Sequence, residues 1–209
     1  MEQKTGISGG EWDWRPDWRP GQGKPGSNLA DMQTQALDRF QVSYGICNPL
    51  YGVQMVFSED MQDAFCRALN DWLAREWLDR DERLRGSIVI PTQSVEKSVA
   101  EIERCARDKR FVQVLMLVMG DMPLGKRAYW PIYAAAERLG LAIGIHAGSA
   151  YHNPPTSVGW GSYHIEDYVA QATAFQTQLT SLIVEGVFAR HPNLKMVMLE
   201  SGFTWLPAY

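Results

Sequence analysis

Phe111-Val-Gln-Val-Leu-Met-Leu-Val-Met119 is apolar at every position except Gln113, and that continuity decides how the chain is read. A strand with one wet face alternates between polar and apolar residues. A strand apolar on both faces belongs in a parallel sheet, with helices covering the outside and other side chains filling the inside. Leu141 to Ile145 (Leu-Ala-Ile-Gly-Ile) and Lys195 to Leu199 read the same way. Two shorter β-branched or aromatic runs come earlier: Gln41 to Cys47, stopped by Asn48-Pro49, and Ser87 to Ile90, stopped by Pro91.

Helices with one apolar stripe each fill the intervals. Met61, Phe65, Leu69 and Trp72 recur at helical spacing, as do Val95, Val99, Ile102 and Ala106 behind a candidate N-cap at Ser94. Tyr129, Ile132, Tyr133, Ala136 and Leu139 form a third stripe, closed by Gly140, which can take the left-handed conformation of a helix end. Leu179, Leu182, Ile183, Gly186 and Val187 form a fourth. The alternation of strand and helix predicts an α/β domain with parallel strands and right-handed crossovers. Periodicity leaves two architectures open, a doubly wound sheet and a (β/α)8 barrel.

Composition narrows the function. The 209 residues are 45% apolar, with 20 Lys and Arg against 24 Asp and Glu for a net charge of −4. That suits one globular domain, and no basic run is dense enough to neutralise a phosphate backbone, so nucleic acid is not an expected partner. No apolar stretch reaches the roughly 20 residues that span a bilayer, and Met1 to Trp14 has no apolar core of a signal peptide. A cytoplasmic protein without a membrane partner is the expectation. Cys47, Cys66 and Cys105 are odd in number, far apart and in apolar settings, as buried reduced thiols would be. Residues 1–27 read as a Gly/Pro/Trp-rich loop segment and 28–209 as the α/β domain. Leu206-Pro-Ala-Tyr209 follows an apolar strand with no cap or polar tail, from which we expect a piece of a longer product.

Asn48-Pro49-Leu50-Tyr51-Gly52 stands where a dinucleotide-binding glycine motif would follow the first strand, and neither a P-loop nor a Gly-x-Ser-x-Gly elbow occurs. Chemistry is then expected at the C-terminal tips of the strands. His146 directly follows Leu-Ala-Ile-Gly-Ile, with small Ala147 and Gly148 beside it, where a metal ligand or general base would be wanted. Glu200 follows Met196-Val-Met-Leu199, and a carboxylate there is costly to bury without a cation, a metal or a proton to share. Asp121 and Asn48 hold the matching places after two other strands. His152 sits in the loop after His146 and His164 close behind it, while His191 reads as a helix-end cap. Tyr51, Trp160 and Tyr163 would suit an aromatic-lined pocket or ordinary packing. In a barrel the tips converge on one pocket; in an open sheet they spread along an edge.

Six segments in combination carry a resemblance: Tyr44 to Gly52, Ala68 to Leu73, Leu84 to Pro91, Tyr129 to Ala136, Gly144-Ile-His-Ala-Gly148, and Phe188-Ala-Arg-His-Pro-Asn-Leu-Lys195. Together they resemble the amidohydrolase-related family of metal-dependent hydrolases and decarboxylases, over about Asn28 to Tyr209. The resemblance implies a partial (β/α)8 TIM barrel holding strands two to six of eight. It also implies a divalent metal, zinc or manganese, and makes His146 its fifth-strand ligand. The family's first-strand His-x-His or Glu-x-His pair has no match, since no histidine precedes His146, and its eighth-strand Asp has none either. Glu200 stands where many members carry a histidine for acid/base work. The implied activity is hydrolysis or decarboxylation of a small carboxylated or cyclic substrate, with Glu200 relaying a proton and Asn48, Asp121, His152 and Trp160 facing the substrate. Since one ligand cannot hold a catalytic metal, the chain as written is expected to be inactive, with unpaired strand edges that a homo-oligomer could complete. The alternative expectation is a metal-free barrel relative that binds a small molecule or a partner.

Overall fold

The computed structural model describes residues 26–208, so all of the Gly/Pro/Trp-rich segment except Gly26 and Ser27 lies outside the described residues. The described part opens with α1 (Leu29–Met32), where the Asn28 side chain accepts from the Ala30 and Asp31 amides at 2.9 and 3.3 Å. Then follow β1 (Gly45–Cys47), α2 (Glu59–Leu73), β2 (Leu84–Val89), α3 (Val95–Cys105), β3 (Phe111–Met119), α4 (Trp130–Leu139), β4 (Ala142–Ser149), α5 (His164–Val184), α6 (Val187–Arg190) and β5 (Met196–Leu199). The five strands pair in parallel in the order β1-β2-β3-β4-β5. A doubly wound sheet reverses its strand order at a switch point. Here sequence neighbours are always spatial neighbours, and the sheet curls into a half-barrel. The barrel reading is the correct one.

Alternation along each strand separates an outer from an inner face. Ile88 and Ile90, Val114, Met116 and Val118, and Ile143 and Ile145 point outward, each 0–1% exposed, into a core shared with Ile102, Ile132, Tyr133, Phe175 and Leu182. The inner face carries Ser87 and Val89, Gln113 and Leu115, Gly144 and His146, with Gly144 beside Leu115 and His146 beside Leu117 in register. A Cβ on Gly144 would lie 2.4 Å from the Gln113 side chain, so glycine is what lets that amide fill the interior. The predicted Ser94 cap and Gly140 stop both form, Gly140 at φ 71°.

Three expectations are corrected. The first strand begins at Gly45 and not Gln41, because Gln41 sits in a left-handed turn at φ 51° while the Val42 amide folds back onto Leu37 O at 2.8 Å. On α2, Met61 and Phe65 are exposed, and Leu69 is buried together with Gln62, Cys66, Asn70 and Leu73. The buried polar residues work as backbone partners: Asn70 accepts from the Val89 amide at 2.9 Å and donates to Val89 O at 2.9 Å, while Gln62 donates to Gln54 O at 3.1 Å. The fourth stripe is broken at Gly186, φ 78°, which starts α6, and Ile183 faces out.

Asn70 also donates to Glu101 at 2.7 Å, and Arg104 grips the same carboxylate with two 2.7 Å bonds. Burial pushes the Glu101 carboxyl up, but these bonds and one from Cys105 together hold it below its ordinary value. The three cysteines are free thiols, Cys66 and Cys105 buried and Cys47 partly so. Burial pushes Cys47 up to about 11 and the other two further, as expected of inert thiols. No helix among the described residues is long and apolar enough to cross a membrane.

Candidate active site

His146 stands opposite Leu199 in the β4–β5 register, so the next residue of the fifth strand's tip, Glu200, comes up beside it. His146 Nε2 lies 3.9 Å from Glu200 Oε1; the imidazole is buried, the carboxylate 71% exposed. On the other side of the ring, Nδ1 is 2.6 Å from Ala147 O, a contact that requires Nδ1 to be the donor. When the ring is neutral, its Nε2 lone pair lies on the side of that carboxylate. Two lone-pair groups facing each other at that spacing are stabilised by a proton or a cation between them, and a carbonyl-anchored Nδ1–H is how a metal-binding histidine is oriented. Glu200 also sits at φ 63°, a left-handed backbone that strains a non-glycine residue.

Two donors fall short of the about three protein ligands a catalytic metal takes. Among the described residues no group of three His, Cys, Asp or Glu side chains could hold a metal. These residues alone do not fit a resident metal ion, and a metal at His146 would need ligands from outside them.

A second pair lies at the neighbouring tip. After β4 the chain stays on β3, the Ala150 amide donating to Met119 O at 2.9 Å, and two residues later His152 Nδ1 donates to Asp121 Oδ1 in a short hydrogen bond. Thr92 Oγ1 donates to the other Asp121 oxygen at 3.3 Å. The Phe57 ring covers the imidazole with its centroid 4.4 Å away. Helix α5 fastens the loop from behind: Gln171 accepts from the Gly148 amide at 2.8 Å, and the Tyr151 hydroxyl donates to buried Asp167 at 2.6 Å. Burial, then the Asp167 carboxylate, push the Tyr151 hydroxyl well above its ordinary value. Tyr151 too is left-handed, at φ 55°.

The structure thus brings His146 to Glu200 and Asp121 to His152. Asn48 is turned inward instead, accepting from Ser87 Oγ at 2.7 Å and Gln113 Nε2 at 3.1 Å. Trp160 is 63% exposed, with no hydrogen bond or ring contact to the other four among the described residues. Tyr51 and Tyr163 are exposed as well, and the Tyr51 ring meets Trp72 edge-on. His164 is the exposed first residue of α5. His191 does end a helix, and its Nδ1 meets the Glu137 carboxylate at 3.1 Å. Thr92, Tyr151, Asp167 and Gln171 escaped the sequence reading. The one signal available was the spacing of Asp167 and Gln171, four apart, which on a helix such as α5 puts both on one face.

Fold and site together define a parallel β/α half-barrel with its polar groups gathered at the C-terminal strand tips. A family model described as amidohydrolase matches residues 11–209, and the chain belongs to that family. It is 27% identical over 195 residues to a gamma-resorcylate decarboxylase of Rhodococcus jostii (strain RHA1), covering 84% of this chain and 56% of that protein. It is 28% identical over 179 residues to a 2-amino-3-carboxymuconate-6-semialdehyde decarboxylase of Dictyostelium discoideum, covering 82% and 47%. The crystal structure of a dihydroxybenzoic acid decarboxylase from Polaromonas sp. JS666, with bound manganese and the inhibitor 2-nitroresorcinol, superposes with a TM-score of 0.67 at 20% identity, covering 82% of this chain and 54% of that one. The chain spans about half the length of the curated relatives it matches.

Proposed function

We propose that the protein decarboxylates a small carboxylated aromatic acid in the presence of a divalent metal ion, manganese or zinc. The observation that carries this reading is the His146–Glu200 pair, two facing lone-pair groups 3.9 Å apart at adjacent strand tips, in a chain whose relatives are named decarboxylases. His146 contributes one ligand and Glu200 moves the proton. In the reaction the bond between the ring carbon and the carboxyl carbon breaks, CO2 leaves, its electron pair stays on the ring carbon, and a proton relayed by Glu200 takes the vacated place. Asp121 and His152 stand at the neighbouring tip as substrate-facing groups. Hydrolysis is the weaker reading, since the curated relatives named above are decarboxylases.

The test is CO2 release from 2,6-dihydroxybenzoate by the protein at its native length, with manganese or zinc supplied. Wild type should release CO2 and His146→Ala should lose at least about 100-fold, in line with removal of a directly acting group. Absence of CO2 from wild type, or full metal content and activity in the variant, would overturn the proposal. With Glu200 moving the proton, residues 26–208 supply one of the about three ligands needed. We therefore propose that residues 26–208 by themselves take up less than one metal ion per chain and are inactive. Binding of the acid without metal uptake or turnover at native length would mark a non-catalytic binding protein instead.

A further inference from the structure

The Asp121–His152 pair presents a feature that the proposed reaction leaves unused: His152 Nε2 is buried with no hydrogen-bond partner among the described residues. The side chain is 10% exposed. An orphaned buried polar atom is destabilising, and here the surroundings hold the atom in that condition. Asp121 accepts a hydrogen bond from Nδ1 and is itself held by Thr92, so the ring cannot turn over without breaking its bond to an anchored carboxylate.

We infer that His152 Nε2 accepts a hydrogen bond from a ring hydroxyl of the substrate, with Asp121 as its positioning residue and Phe57 as its movable cover. This rests on the decarboxylase reading and adds the substrate's distinguishing group. A neutral ring that donates from Nδ1 to Asp121 offers a lone pair at Nε2 and so selects a donor. A hydroxyl fits. A second carboxylate would meet that lone pair with the Asp121 charge behind it. Phe57 is 74% exposed, so the imidazole lies one side chain below the surface and rotation of that ring uncovers it. The pair stands at the strand tip next to that of His146, Asp121 being four residues beyond Leu117, the register partner of His146.

The experiment is 15N NMR of the histidine side chains in the protein at its native length, titrated with 2,6-dihydroxybenzoate and with benzoate, which has the carboxylate but no hydroxyl. The expected result is a shift of the His152 Nε2 resonance by the dihydroxy acid, and at least tenfold tighter binding of it than of benzoate. In His152→Phe, which keeps an aromatic ring under Phe57, the two acids should bind alike. Equal shifts with both acids, no shift with either, or tenfold discrimination surviving in His152→Phe would each overturn the inference. Because the wild-type resonance is read directly, a poorly folded variant does not blunt the test. The two readings fail separately: CO2 release without discrimination sinks only the hydroxyl contact, and discrimination without CO2 release sinks only the decarboxylase.

Discussion

The outer face of the sheet and its C-terminal tips are made from the same strands, yet they obey opposite rules. Val114, Met116 and Val118 of β3 are 0–1% exposed under the helices. At the tips, two non-glycine residues, Tyr151 and Glu200, sit in left-handed backbone, and His152 keeps a buried nitrogen without a partner. The outer face is apolar and closely packed, and its one similar exception among the described residues is His191 beside Tyr133, whose Nε2 is also buried without a partner. The tips break several of the rules that lower free energy within a few residues of His146. Strain and unsatisfied groups persist where the surrounding structure enforces them, and here the enforcers are visible: α5 through Asp167 and Gln171, and β3 through the Ala150 amide. Removing packing from the outer face should therefore be expensive, and removing strain from the tips nearly free.

The largest effect should come from the outer face. Phe175, 0% exposed on α5, packs in the main core, and Phe175→Ala should cost about 3–5 kcal/mol in denaturant unfolding. A loss below about 1 kcal/mol would mean that the outer core collapses easily and that the contrast with the tips is not one of rigidity.

Next comes the buried polar knot on the same side. Glu101 is 0% exposed and held below its ordinary carboxyl value despite burial, so the unfolded chain binds its proton more readily than the folded one. Its contribution to stability is then complete above the ordinary carboxylate range and lost as pH falls through and below about 4. Glu101→Gln should lower stability at neutral pH by about 2 kcal/mol and flatten the acid limb of a stability–pH profile. An unchanged acid limb would assign acid sensitivity to other carboxylates, Asp81 with Arg83 foremost, which is also held well below its ordinary value.

How far the sequence could be read follows the same division. Strands apolar on both faces were legible from short, continuous, β-branched apolar runs bounded by turn residues, and β3 appears with the predicted limits. The α2 stripe was misphased because hydrophobic periodicity assumes that polar side chains face water, whereas Gln62 and Asn70 face in to satisfy backbone groups of neighbouring segments. His146 was legible from its place behind an apolar run. The Asp121–His152 pair was not, since joining them takes the path of a loop whose course is set by α5 contacts from residues 167 and 171. Asn48 looked like a tip residue by position but is claimed by Ser87 and Gln113, a partnership that depends on strand register.

Between the two regions lies the inner face, where an intermediate effect is expected. Gly144→Ala would bring a Cβ to 2.4 Å from the Gln113 side chain, which can move only by giving up its bonds to Asn48 and Ser87. Overpacking of this kind costs about 1–3 kcal/mol. Gln113→Ala on the same background should recover part of that loss, and failure to do so would show that the conflict is with the backbone and not with the amide.

The smallest effect is the sharpest test of the contrast. Glu200 at φ 63° carries a left-handed penalty of roughly 1–2 kcal/mol that glycine does not, while glycine's freedom in the unfolded chain takes back about 0.5–1 kcal/mol. Glu200→Gly should therefore change unfolding free energy by less than about 1 kcal/mol, on the stabilising side. The same replacement at Glu103, an exposed position in the last turn of α3 that also pairs with Arg138, should cost up to about 1 kcal/mol. The pair of variants compares one chemical change in two backbones, so differences in side-chain chemistry largely cancel. If Glu200→Gly is also the variant that loses decarboxylation, the strain at this tip is maintained for the sake of the carboxylate it positions. If both glycines cost the same, the left-handed tip is no more strained than a helix, and the division between a relaxed outer face and a strained functional edge does not hold at Glu200.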